Sequence, residues 1–183
     1  MSLLIPKEPE ALSLHITHLW NGEMCPDERV WGQIQTCFRP DGMHILVEAP
    51  LLHEQRVPVD VPIGTRVEGL WEYDVVELFL VGPGHRYLEI ELGAGGHFLV
   101  LAFDRIRHRS DAYEDLKPFL SHHKTTNKTW VSEIVLPTNL LPDNIRALNA
   151  FVFAAGQYLA YSALPGDKPD FHQPDFYPVA SIY

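Results

Sequence analysis

Hydrophobic and polar positions alternate along most of this chain, and the places where alternation breaks down are the informative ones. Residues 14–20, Leu-His-Ile-Thr-His-Leu-Trp, alternate strictly and end at the turn Asn21-Gly22, so they read as one strand. Two more runs, 30–38 and 43–49, flank Arg39-Pro40-Asp41-Gly42. Pro fixes one backbone angle of such a turn and Gly supplies the positive φ, which predicts a hairpin. Strands are predicted at 73–81, 87–92 and 97–103, separated by Gly82-Pro83-Gly84-His85 and Gly93-Ala94-Gly95-Gly96. A further strand at 130–136 is stopped by Pro137, and 148–155 with 158–164 makes a last hairpin through Gly156. Residues 179–183 are predicted to close an edge. The segment 50–69, with Pro50, Pro58, Pro62 and Gly64, is predicted as a long loop. Residues 105–127 are polar and mixed, with a helical turn expected at 110–116 and a strand near 119–125. About ten short strands and no long helix predict an all-β fold, an antiparallel jelly-roll-like β-sandwich forming a single domain over 1–183.

One strand departs from simple alternation. In 73–81 both phases are apolar, with Val76, Leu78 and Leu80 on one side and Val75 and Phe79 on the other, so the strand is covered on both faces. Glu77 stands where an aliphatic residue is expected, and a charge there must be compensated or used. Pairing apolar with apolar positions sets Leu80 opposite Leu88, Leu78 opposite Ile90 and Val76 opposite Leu92. That register puts Glu77 opposite Glu91 and Phe79 opposite Glu89. Applied to the next hairpin, it sets Ile90 against Phe98 and Glu91 against His97. A row Glu77–Glu91–His97 is therefore expected on the face that carries Tyr73 and Tyr87. Opposed carboxyls need a bridge, which a proton, an imidazolium, a metal ion or ligand hydroxyls would provide; the alternative is a solvated face.

The tail supplies a second cluster. Asp170-Phe171-His172-Gln173-Pro174-Asp175-Phe176 gathers polar and aromatic side chains between prolines, a composition suited to a pocket wall or to a plug at the end of the sandwich. Trp71 shares the parity of Glu77, but six residues of straight strand would hold them about 20 Å apart. Both serve one pocket only if the chain bends near Trp71.

Composition narrows the partners. The formal net charge of -10 and the lack of any basic run argue against nucleic acid and against an anionic membrane surface. No stretch approaches about 18 apolar residues, and residues 1–15 carry Pro6, Lys7, Glu8 and Glu10 where a secretion signal has its apolar core, so a cytoplasmic protein is expected. Cys25 and Cys37 are then expected to be reduced thiols, with a bridge between them as the alternative. His122-His123 and His15/His18 lack a third ligand at metal spacing, so no metal and no cofactor is expected. There is no nucleophile elbow, phosphate loop, HExxH or dinucleotide fingerprint. Nothing in the sequence fixes an oligomeric state.

At two places the chain resembles the family 9 carbohydrate-binding modules and their DOMON-like β-sandwich relatives. The residues are Leu70-Trp71-Glu72-Tyr73-Asp74-Val75-Val76-Glu77-Leu78-Phe79 and Phe171-His172-Gln173-Pro174-Asp175-Phe176. More closely, it is similar to a set of small uncharacterised proteins on that sandwich, through Tyr87-Leu88-Glu89-Ile90-Glu91-Leu92, Gly96-His97-Phe98-Leu99-Val100-Leu101 and Lys168-Pro169-Asp170-Phe171-His172. The resemblance implies a sugar slot in which Trp71 forms an aromatic wall and Glu77 accepts from hydroxyls. The opposite wall, usually Trp in the modules, is His172 here, and an Arg that helps bind the sugar is replaced near Glu89. The resulting expectation is non-catalytic binding of a carbohydrate or other small polyhydroxylated ligand by Trp71, Tyr73, Glu77, Glu91, His97 and His172. The alternatives are a protein-interaction surface and a glycoside-acting enzyme using Glu77 and Glu91 as an acid/base pair.

Overall fold

The parity of the apolar positions decides how the sheets stack. The computed structural model describes residues 2–115 and 120–183, and fourteen strands occur among them. In chain order they are β1 (Leu3–Ile5), β2 (Leu12–Ile16), β3 (His18–Leu19), β4 (Gly32–Arg39), β5 (Gly42–Pro50), β6 (Val75–Val81) and β7 (Tyr87–Gly93). The second half holds β8 (Phe98–Arg105), β9 (His108–Asp111), β10 (Leu120–Thr125), β11 (Thr129–Leu136), β12 (Ala147–Ala154), β13 (Gln157–Ala160) and β14 (Ala180–Ile182). A five-stranded sheet has the order β10-β11-β5-β4-β2, and a seven-stranded sheet the order β3-β13-β12-β6-β7-β8-β9. Neighbours in both are antiparallel; β1 and β14 pair separately and in parallel.

Even-numbered residues of the central strands face the other sheet. Val76, Leu78 and Leu80 from β6 and Leu88, Ile90 and Leu92 from β7 join Leu14, Ile34, Ile45 and Ile134 in one buried cluster. Each such side chain contributes about 1.5–3 kcal/mol by leaving water, which makes this layer the main source of stability. Odd-numbered residues form a second cluster on the far face of the seven-stranded sheet, with Val75, Phe79, Tyr87, Leu101, Phe103 and Phe151 beneath Leu70, Leu164 and Tyr177. The loop before β6 and the C-terminal tail cover that face, which explains why β6 is apolar in both phases.

The structure changes several local expectations. The run 14–20 is two strands: the chain leaves one sheet after Ile16 and enters the other at His18. The expected helical turn is instead occupied at its start by β9, which pairs with β8, and its end at Leu116 lies outside the described residues. Phe119, at the start of the strand expected near 119–125, also lies outside them, and Leu120–Thr125 is a strand. The β6–β7 register is the expected one, Leu78 opposite Ile90 and Glu77 opposite Glu91. The β7–β8 register is shifted by two residues: Leu92 meets Phe98, Ile90 meets Val100, and Leu99 rather than His97 lies opposite Glu91. The cause is a tight turn, closed by Gly93 N–H to His97 C=O at 2.9 Å and by Gly96 N–H to Gly93 C=O at 2.9 Å, which draws His97 out of the ladder.

Candidate functional site

On the far face of the seven-stranded sheet, the covering loop and tail leave a cavity of about 410 Å³ between them. Its floor is Glu77 of β6, Glu89 of β7 and Leu101 and Phe103 of β8; one side is Trp71 with Arg107 and Arg109, and the other is Phe153, Tyr158, Asp170, Phe171 and His172. The volume falls in the ~300–1,000 Å³ range of small-molecule sites.

Trp71 reaches this cavity because the chain bends where the sequence required it. Gly69, at φ 78°, starts a 3₁₀ turn over Leu70–Glu72, and Tyr73 returns to extended backbone. Leu70 is fully buried against the sheet, while the Trp71 ring is 39% exposed. The Arg109 guanidinium carbon lies 5.9 Å from the Trp71 ring centroid. Arg109 is also held by Glu68 at 2.8 Å, and Glu68 takes Arg66 at 2.8 Å.

The opposite side is fixed by the tail. Asp170 accepts from the Arg107 guanidinium at 2.7 Å and from the His172 backbone N–H at 3.0 Å. Phe171 stacks on Phe151 at 4.1 Å between centroids, and the Tyr177 hydroxyl donates to the Phe171 carbonyl. His172 packs edge-on against Phe79 and Phe103, and its Nδ1 meets the Tyr87 hydroxyl at 2.8 Å. His172 Nε2 points toward Glu89 Oε2 at 3.9 Å, too far for a hydrogen bond. Burial, with the Arg107 charge adding to it, drops the His172 pKa to about 4, so the ring is neutral at pH 7 and the contact is not an ion pair.

The floor is electrostatically unusual. Glu77 and Glu89 are each 3% exposed and Glu91 is fully buried. Burial raises the Glu89 carboxyl to about 7, opposed by hydrogen bonding from Glu91 and by the charges of Arg109 and Arg107. Burial also holds Glu77 well above the ordinary carboxylate range, with Glu89 reinforcing it, and holds Glu91 there with help from Glu77 and Glu89. The contact between Glu91 and Glu89 is looser than ordinary hydrogen-bond geometry, since both Glu91 oxygens and Glu89 Oε2 have no partner within it. It still keeps the proton on Glu91 and favours charge on Glu89.

Trp71, Glu77 and His172 thus line one cavity. Glu91, Tyr73 and His97 are not among the residues that line it. Glu91 lies in the sheet beside Glu77 and is shut off from the space above; Tyr73 packs at the margin of the far-face cluster. His97, which does not sit opposite Glu91, meets the Val61 carbonyl through Nε2 at 3.0 Å and leaves Nδ1 without a partner. An acid/base pair made of Glu77 and Glu91 has no common substrate space. Sequence reasoning placed Asp170 and Phe171 in a segment suited to a pocket wall but did not single out Glu89, Arg107, Arg109 or Tyr158 as binding residues. For Glu89 the signal was its shared face with Glu77; for the arginines there was none, since they lie in a segment whose pairing to β8 the sequence did not reveal.

The sandwich belongs to a fold class seen in carbohydrate-binding proteins. A Bacteroides uniformis ATCC 8492 protein, whose carbohydrate-binding assignment is provisional, superposes with a TM-score of 0.76 over 100% of this chain and 99% of that one, at 14% identity. A carbohydrate-binding module family 9 domain from Caldicellulosiruptor kristjanssonii, in complex with cellotriose, superposes with a TM-score of 0.58 over 100% of this chain and 93% of that one, at 10% identity. At these identities the likeness is one of fold. In sequence the chain is similar to the UPF0462 protein C4orf33 homolog of Danio rerio, 27% identical over 177 residues, covering 91% of this chain and 87% of that protein. The homolog from Mus musculus is 27% identical over 177 residues, with 91% and 89% covered. No protein-family model matches the chain.

Proposed function

We propose that this cavity binds a carbohydrate, or another small polyhydroxylated ligand, without transforming it. The observation that carries the reading is the meeting of an exposed Trp71 ring with the buried carboxyls Glu77 and Glu89, the latter with an unpartnered oxygen, in a single space of about 410 Å³. A sugar ring offers CH groups to an aromatic face and hydroxyls, each both donor and acceptor, to its edges. The cavity matches both. Trp71, Tyr158 and Phe171 supply apolar faces; Glu89 Oε2 accepts, while Arg107 and Arg109 donate. The resemblance of the fold to a sandwich solved with cellotriose supports the same reading.

The test is a calorimetric titration of the full chain with a panel of neutral and substituted mono- and disaccharides, followed in parallel by tryptophan fluorescence. Binding with a change in Trp emission that disappears in Trp71→Phe is the expected result. A panel that produces neither heat nor an emission change would overturn the proposal.

A further inference from the structure

The cavity floor holds an acceptor oxygen for which the protein supplies no donor. Glu89 Oε2, on a residue that lines the cavity, is buried without a hydrogen-bond partner, and Glu77 lines the same floor. The guanidiniums that face this patch from other elements each hold another carboxylate and give Glu89 Oε2 no hydrogen bond. Arg107, from the turn before β9, is held by Asp170, and Arg109, on β9, is held by Glu68, which also binds Arg66. From the tail, His172 is neutral and the Tyr177 hydroxyl is given to a carbonyl; Tyr87 is bonded to His172. With Glu77 and Glu91 held protonated by burial, Glu89 is the carboxyl of the floor that can ionise near pH 7, and the guanidiniums nearest to it are held by Asp170 and Glu68. Among the described residues no cluster is arranged to hold a metal ion, so a bare cation is not what this patch is built for. Above it stand aromatic walls, and Trp71 already has a guanidinium over its ring.

We infer that the ligand carries a protonated amine beside its hydroxyls, as an amino sugar does, with the ammonium over Glu89 and Glu77 and the sugar ring on Trp71. This rests on the carbohydrate reading above and adds the ligand's charge. An ammonium has three donors and no acceptor, the complement of a floor in which Glu89 Oε2 is unpaired beside the Glu77 carboxyl. A neutral hydroxyl fills one acceptor and leaves a buried charge uncompensated. At pH 7 the Glu89 carboxyl, raised to about 7, holds its proton part of the time. An arriving ammonium expels that proton, so binding releases protons and weakens on acidification. A neutral sugar makes no such demand.

The experiment is calorimetry of the full chain at pH 7 with glucosamine, N-acetylglucosamine and glucose, each in two buffers of different ionisation enthalpy. Glucosamine is expected to bind about tenfold or more tightly than the other two, with a heat that differs between buffers in the sense of proton release. In Glu89→Gln the preference should fall to within about twofold while glucose binding persists, whereas Trp71→Ala should weaken all three. Equal or tighter binding of glucose or N-acetylglucosamine by the wild type, or a buffer-independent heat, overturns the amine inference and leaves the carbohydrate reading standing. Failure of all three to bind overturns both. The comparison of ligands on the wild type decides the matter even if a variant misfolds.

Discussion

His172 takes the phenolic proton of Tyr87 on its Nδ1, and that bond fixes the nitrogen that faces Glu89. The Tyr87 oxygen accepts the Arg107 backbone N–H at 3.0 Å, and among the described residues its own proton has no acceptor but His172 Nδ1, 2.8 Å away. A neutral imidazole with Nδ1 as acceptor carries its proton on Nε2, the atom aimed at Glu89. Burial raises the Tyr87 pKa to about 12, so the donor persists at any ordinary pH.

Opposed titrations of these two neighbours predict that their contributions to the pH dependence of stability offset each other. Glu89 moves from an ordinary 4.5 to about 7, so between those values the folded state binds the extra proton. Its contribution is fully present below pH 4.5 and is lost as pH rises to 7, about 3 kcal/mol in all. His172 moves from an ordinary 6.5 to about 4, so there the unfolded chain binds the extra proton, and a similar contribution present above pH 6.5 is lost as pH falls. In His172→Gln the Glu89 branch loses its offset. Its melting temperature should climb between pH 7.5 and pH 5 by several degrees more than that of the wild type. Parallel profiles for the two proteins would mean that the ring is not held neutral.

Trp71→Ala separates binding from folding. The ring is 39% exposed and its neighbour Leu70 carries the packing, so the melting temperature should move by no more than a few degrees. Sugar affinity should drop about tenfold or more, because the largest apolar face of the cavity goes with it. A loss of stability that accounts for the loss of binding would reassign Trp71 to the core.

Faces were legible in the sequence where partners were not. The pairing of Leu78 with Ile90 followed from matching apolar positions because both phases of β6 constrain the register. The next register slipped by two residues, which leaves every face unchanged, so Glu91 kept its side and lost His97 as its neighbour. The Val61 carbonyl that takes His97 comes from a loop 36 residues away, a contact no local pattern announces. The pocket wall expected from residues 170–176 is held by Asp170 on Arg107 and by Phe171 on Phe151, both pairings across long stretches of chain. The arginines were hidden for the same reason: β9 has four exposed residues and gives no periodic signal until it is seen against β8.

The first hairpin of the five-stranded sheet offers a test of backbone geometry. Gly42 opens β5 at φ +147°, and a Cβ there would come 2.3 Å from the Leu136 carbonyl oxygen. Gly156, at φ +73° in the β12–β13 turn, has nothing within 4 Å of that position. Gly42→Ala should therefore cost about 3 kcal/mol or more in denaturant unfolding, against about 1 kcal/mol for Gly156→Ala, which meets only the φ penalty. Equal losses at the two sites would show that the clash with β11 relaxes freely.

Glu91 is the carboxyl whose removal should help the fold. It is fully buried, both oxygens lack hydrogen bonds, and burial together with Glu77 and Glu89 keeps it protonated well above the ordinary range. In the unfolded chain it ionises near 4.5, so at every pH above that value folding must return a proton to it, at about 1.4 kcal/mol for each pH unit up to its folded pKa. Glu91→Gln keeps the shape of the protonated acid and ends that cost. The variant should be more stable than the wild type at pH 8, with the gain shrinking toward pH 4.5. Because Glu91 does not line the cavity, ligand affinity at a pH where both proteins are folded should change by less than about threefold. A variant less stable than the wild type across the whole range would mean that Glu91 is ionised and partnered in the folded protein, and that the sheet beneath the cavity carries a charge there rather than a proton.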